Sequence, residues 1–145
     1  MKILFKKLDE RAATPTYGTD YAACADLRAI LDSPIIVAPN ESVFVRTGLA
    51  MSIPEGYAGV VCARSGIACK RGLAPANKVG IIDADYRGEI MVCLHNHSEF
   101  DQTIEPGERI AQLGVVPFIR CEYEEAEVLD DTVRGDGGFG STGKQ

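Results

Sequence analysis

The sequence predicts an all-β fold, of the sandwich, jelly-roll or small-barrel kind, with one short helix. Three observations carry that expectation. Short apolar runs rich in β-formers recur along the chain, and turn chemistry closes each of them. Only one segment combines helix start and stop signals. The chain has 145 residues, 46% of them hydrophobic and 25% charged. That is one domain's worth, enough to bury roughly two-thirds of the unfolded surface without staples.

The first long run is Ser42 to Ile53, which ends at the turn Pro54-Glu55-Gly56. Ala58 to Ala63 and Glu89 to Asn96 follow as further strands, and Pro106-Gly107 introduces another over Glu108 to Phe118. The helix is expected over Ser65 to about Arg71, with Ser65 as its N-cap and Gly72 just beyond its end. Composition then changes. Six of the ten residues from Glu122 to Asp131 are acidic, and none is Lys or Arg. Five of the ten from Arg134 to Gly143 are glycine, too many to hold a stable element unaided. The expected organisation is a β-barrel core over 1–121, an acidic connector over 122–133 and a glycine-rich arm over 134–145.

Bulk charge narrows the partners. The net charge is −6, with Lys and Arg scattered, so nothing in the sequence tracks a nucleic-acid backbone or an anionic membrane. An acidic protein that binds an anion needs local donors or a metal. The cysteines (Cys24, Cys62, Cys69, Cys93 and Cys121) are odd in number and form no CxxC pair. Buried free thiols in a reducing compartment are expected from this, not a disulfide framework or a zinc site. The apolar part of Met1 to Lys7 is too short for a signal peptide or a membrane span, so a cytoplasmic location is expected.

Five segments carry candidate chemistry. Ala25-Asp26-Leu27 sets one carboxylate in an apolar run. Ala63-Arg64-Ser65-Gly66 ends a strand where the helix begins, which gathers free N–H groups, a hydroxyl and a guanidinium. Asn77 to Glu89 places Asp83, Asp85 and Glu89 around Tyr86 in an apparent hairpin, suited to activating water or to holding a divalent cation, or simply to a turn. Gln112 sits among apolar neighbours, so its amide needs a partner if buried. The last segment, Arg134 to Gly143, nearly spells a phosphate-binding GxxxxGK[ST] loop, but Gln145 follows Lys144 and no helix comes after. A Walker loop is therefore rejected. Its N–H groups, Ser141, Thr142 and Arg134 still suit phosphate oxygens, and Phe139 suits stacking on a flat base.

In their order the five segments resemble the five motifs of the trimeric dUTPase family: Ala25-Asp26-Leu27-Arg28-Ala29, Arg64-Ser65-Gly66, Gly80 to Glu89, Gly107 to Leu113, and Arg134 to Gly143. The resemblance runs from about residue 20 to residue 143, and its third and fifth motifs are the specific ones. It implies a distorted jelly-roll barrel, a homotrimer with active sites at subunit interfaces, and an arm that closes over the nucleotide. The implied reaction is Mg²⁺-assisted hydrolysis of dUTP to dUMP and pyrophosphate.

Roles follow from the resemblance, position by position. Asp83 looks like the general base, and Asp26 like the carboxylate that holds hydrated Mg²⁺ through water. Arg64, Ser65, Gly66 and Gln112 resemble phosphate-binding and water-positioning groups. Asn77, Gly80, Ile81 and Ile82 resemble the uracil reader, and Tyr86 the ring under the sugar that excludes a 2′-hydroxyl. Phe139 would stack on uracil, while Arg134, Gly140, Ser141 and Thr142 would grip the distal phosphates. Met91 lies near the substrate, where many members carry lysine. Cys24 stands where glycine is more usual, and Ala63 where proline is frequent. Asp85 is expected to be structural, paired with Arg87. A deaminase acting on dCTP would share the fold, and a silent binding module would bind without turnover; ammonia and pyrophosphate release separate these from a hydrolase.

Overall fold

The computed structural model describes residues 1–138, which form twelve strands and one helix. In chain order the strands are β1 (Leu4–Lys7), β2 (Thr16–Tyr17), β3 (Ala25–Arg28), β4 (Ile35–Val37), β5 (Ser42–Arg46), β6 (Leu49–Ser52) and β7 (Tyr57–Cys62). Helix α1 (Ser65–Arg71) follows, then β8 (Leu73–Pro75), β9 (Val79–Ile82), β10 (Met91–Asn96), β11 (Gln102–Ile104) and β12 (Arg109–Pro117). All strand pairings are antiparallel. The largest sheet has the order β2-β3-β12-β7-β9, and a second has β5-β10-β8. Two-stranded pairs β1-β6 and β11-β4 complete the framework. This is the all-β architecture with a single short helix that the recurrent short apolar runs imply, in the jelly-roll-like form that the resemblance implies.

Alternation along the strands makes the core. In β12, Ala111 and Leu113 face the core, while Gln112 between them lies on the other face. Leu27, Leu49, Leu73, Ile90, Leu94, Ile104 and Ile110 are all essentially inaccessible. Each such side chain contributes about 1.5–3 kcal/mol by leaving water. Asn96 is buried without penalty: its amide donates to the carbonyls of Val37 and Phe100, and its oxygen accepts from Ser98.

Local expectations met three corrections. The run from Ser42 to Ile53 is two strands, broken at Thr47-Gly48, because Gly48 takes φ +66° and the chain changes sheets there. Arg64, in extended geometry and with no side-chain capping bond, is the N-cap of α1, so Ser65 is the first helical residue. Gly72 does end the helix, in the left-handed region, with its N–H on the Ala68 carbonyl. The cysteines are free thiols, yet none is buried: Cys24, Cys62 and Cys93 are half-buried, and Cys69 and Cys121 are exposed. On β7 and β10 the thiols fall on the face turned away from the core.

Residues 118–138 carry neither helix nor strand. Within them Ile119, Tyr123, Val128, Leu129 and Val133 are each more than four-fifths exposed. No helix among the described residues is long and apolar enough to cross a membrane.

Candidate active site

Three of the sequence segments meet on the outward face of the large sheet. The register sets Gln112 of β12 between Asp26 of β3 and Cys62 of β7, so the strand carrying Gln112 is flanked by both other motifs. Arg64 follows the end of β7, and its Nε donates to Asp26 Oδ1 at 2.8 Å. Arg109 Nη1 donates to the other carboxylate oxygen at 3.1 Å. Gln112 Nε2 donates to the Ala63 carbonyl at 3.0 Å, which satisfies the amide. Ser65 and Gly66 begin α1 beside Arg64, exposed, with their N–H groups outside the helix's own ladder.

Two guanidinia against one carboxylate leave this cluster locally cationic in an acidic protein. It suits phosphate oxygens. Arg109 is the residue that sequence reasoning missed here. Its place in Gly107-Glu108-Arg109 gave no sign of a role; in the fold it stands opposite Arg28 beside an irregularity of β12, and its side chain reaches along the sheet to Asp26. Two residues from Asp26, burial and then the neighbouring Cys62 raise the Cys24 thiol above its usual pKa.

The third segment builds a separate pocket of about 210 Å³ between β9 and β10. Ile81, Ile82, Asp83, Tyr86 and Met91 line it, together with Phe44, Glu89 and Ile90. Gly80 sits on β9 beside it: a Cβ there would stand 3.3 Å from both Asn77 Nδ2 and Val61 Cβ, so glycine lets the Asn77 amide lie close against the strand. Asn77 opens the turn into β9, where Lys78 takes φ +63°. Asp83 is exposed, and its carbonyl accepts from the Tyr86 N–H at 3.1 Å. The expected Asp85–Arg87 pair does not form. Arg87 Nη1 donates instead to the Ala84 and Tyr86 carbonyls, because the tight turn puts those oxygens within its reach.

Within one chain these two groups stay apart. Cys62 pairs with Val79 and Gly59 with Ile82, so Arg64 and Asp83 leave opposite ends of the β7–β9 ladder. Three residues of strand set roughly 10 Å between those ends before either flank is counted. In the arm, Arg134 is exposed and its Nε donates to the Gly137 carbonyl at 2.8 Å. Phe139, Gly140, Ser141 and Thr142 lie outside the described residues.

The dUTPase family model matches residues 10–143, nearly the whole chain and all five segments. The chain belongs to the dUTPase family. A deoxyuridine 5′-triphosphate nucleotidohydrolase from Hydrogenobaculum sp. (strain Y04AAS1) is 50% identical over 143 residues, covering 99% of both chains. One of the same name from Acinetobacter baumannii (strain AYE) is 44% identical over 150 residues, covering 100% of both. Among solved structures, a mutant dUTPase of Staphylococcus bacteriophage 80alpha with dUpNHpp superposes with a TM-score of 0.90 at 29% identity, covering 99% of each chain.

Proposed function

We propose that this protein hydrolyses dUTP to dUMP and pyrophosphate, lowering dUTP and supplying dUMP for dTMP synthesis. The observation that carries the reading is the pocket between β9 and β10. There an exposed carboxylate, Asp83, shares a wall with the Tyr86 ring and the apolar edge of Ile81 and Ile82. Uracil enters against Asn77, Gly80, Ile81 and Ile82, with Met91 beside it. The deoxyribose packs on Tyr86, where a 2′-hydroxyl would meet the ring with no partner for its hydrogen bond. Asp83 takes a proton from water as the water oxygen bonds to the α-phosphorus. The bond from that phosphorus to the bridging oxygen breaks, and pyrophosphate leaves.

The triphosphate lies on the cationic cluster. Arg64, Ser65, Gly66 and Gln112 hold its oxygens, and Arg64 exchanges Asp26 for phosphate as it does so. Among the described residues no three His, Cys, Asp or Glu side chains group to cage a metal. A lone carboxylate beside a polyphosphate fits Mg²⁺, which keeps its water shell and takes few protein ligands. Asp26 would hold that ion through water, and the ion would neutralise charge on the phosphates.

Since Asp83 and Arg64 stand at opposite ends of one ladder, a complete site needs a second copy of the chain, in keeping with a homotrimer whose sites lie at subunit interfaces. The barrel core over 1–121, the connector over 122–133 and the arm over 134–145 divide the work. Arg134, Phe139, Gly140, Ser141 and Thr142 of the arm close on base and distal phosphates.

Pyrophosphate release from dUTP, dCTP, dTTP and UTP, each with and without Mg²⁺, tests this. Release from dUTP alone, abolished by chelator, is expected. Release from several nucleotides would discard the base and sugar assignments, and release from none would discard the reaction.

A further inference from the structure

We propose that the Arg46–Glu89 ion pair positions the Tyr86 ring and so sets the discrimination between deoxyribose and ribose; this rests on Tyr86 packing beneath the sugar. The ring is held at two points. Its hydroxyl donates to the Glu89 carbonyl at 3.0 Å. It also lies close over Gly88, where a Cβ would come within 2.4 Å of the hydroxyl oxygen and 2.6 Å of Cζ. Tyr86 as a whole is 43% exposed, so the place of its ring depends on where the Gly88-Glu89 backbone sits.

That backbone is fastened to the corner between β5 and β6. The Glu89 carboxylate accepts the Arg46 Nε–H on both oxygens, at 3.2 and 3.0 Å, and the Gly48 N–H at 2.7 Å. Next along the chain, the Ile90 N–H donates to the Leu49 carbonyl at 2.8 Å, and Thr47 Oγ1 donates to the Ile90 carbonyl at 2.5 Å. The corner itself has no slack. A Cβ on Gly48 would stand 2.3 Å from Ile30 Cδ1 and 2.9 Å from the Ala12 Cβ. Asp9 lies 3.9 Å from Arg46 Nη1 and adds a second carboxylate to the guanidinium. Of the residues in this chain of contacts, Glu89 and its neighbour Ile90 also line the pocket with Tyr86 and Asp83, and of the two only Glu89 carries the Arg46 ion pair.

Remove Arg46 and the Glu89 carboxylate, four-fifths buried, is drawn toward water. Its peptide carries the acceptor that holds the Tyr86 hydroxyl, so the ring gains room. A looser ring grips the deoxyribose less well and tolerates a 2′-hydroxyl better. A displacement of a positioning group by about 1 Å can cost as much as roughly 100-fold in rate.

The test compares kcat and KM for dUTP and UTP in the full-length protein and in the Arg46→Ala, Arg46→Lys and Glu89→Gln variants. In Arg46→Ala and Glu89→Gln the ratio of kcat/KM for UTP to that for dUTP rises about tenfold, with the dUTP loss mainly in KM. Arg46→Lys recovers part of the discrimination, since it keeps the charge without the planar fork. Should Arg46→Ala fail to fold, Glu89→Gln still decides, because its amide oxygen can accept from the Gly48 N–H. A parallel fall for both nucleotides, with the ratio unchanged, overturns the proposal and makes the pair structural only. A wild-type protein that leaves dUTP intact, or hydrolyses UTP equally well, instead overturns the reading of Tyr86 on which the inference rests.

Discussion

Asp26 and Asp83 are both single carboxylates, but their surroundings assign them different work. Asp26 is half-buried between Arg64 and Arg109, with both oxygens engaged, so it is poorly placed to take a proton. Asp83 is exposed beside Tyr86 and free to meet a water. Asp83→Asn keeps the shape and removes the proposed base. Its turnover should fall on the order of 10²–10⁴-fold, while nucleotide affinity by equilibrium titration stays nearly constant. Unchanged turnover would remove Asp83 from the mechanism. A second residue-scale prediction concerns pH. Partial desolvation, then the neighbouring Lys78 and His95, lower the pKa of the largely exposed His97 imidazole. The unfolded chain therefore takes the proton first, so the contribution of neutral His97 is complete above about pH 6.5 and is lost as pH falls through its folded value. His97→Gln should flatten the decline of the urea midpoint between about pH 7 and pH 5. Equal declines in both proteins would place that sensitivity elsewhere.

At the scale of elements, α1 shows what local chemistry dictates and what it leaves open. Gly72 at its C-terminus has φ +70°, and a Cβ there would meet Ser98 N at 2.9 Å. Backbone strain and a clash with main chain act together, so Gly72→Ala should cost about 1–3 kcal/mol in chemical denaturation. A change within a few tenths of a kcal/mol would mean that the β10–β11 turn yields easily. The stop signal was legible because so few residues tolerate that conformation. The span from Ser65 to Arg71 was legible too, but the cap was not: it is Arg64, in extended geometry and without a side-chain capping bond, and not Ser65. The longer strands were legible from their apolar runs. Strands β1, β2, β4, β8 and β11 have only two to four residues each, too few to show a period. The partners of β5 and β6 were equally hidden: one strand joins β10 and the other β1, and no local signal records that choice.

For the whole molecule, the candidate site was legible as a set of residues but not as a place. Motif order gave Asp26, Arg64, Asp83 and Gln112. Register alone showed that three of them share one sheet face, while Asp83 leaves the far end of the β7–β9 ladder. Large apolar side chains of residues 118–133 are exposed on a single copy, and among the described residues none from 118 to 138 belongs to the core cluster. Deleting residues 134–145 should therefore cut activity while leaving the melting temperature close to that of the full chain; loss of the assembly instead would make the arm structural. The sharper prediction uses two inactive variants. Asp83→Asn spoils the pocket half of the site, and Arg64→Ala spoils the phosphate half. If one chain supplied both halves, mixing the two variants through unfolding and refolding would restore nothing. If different copies supply them, random reassembly of an equal mixture gives sites in which both halves are intact. About a quarter of the sites should then be active, so the mixture recovers roughly a quarter of wild-type turnover while neither parent recovers any. Recovery would place the catalytic centre between subunits, and its absence would require a rearrangement within the chain that carries Asp83 across the ladder.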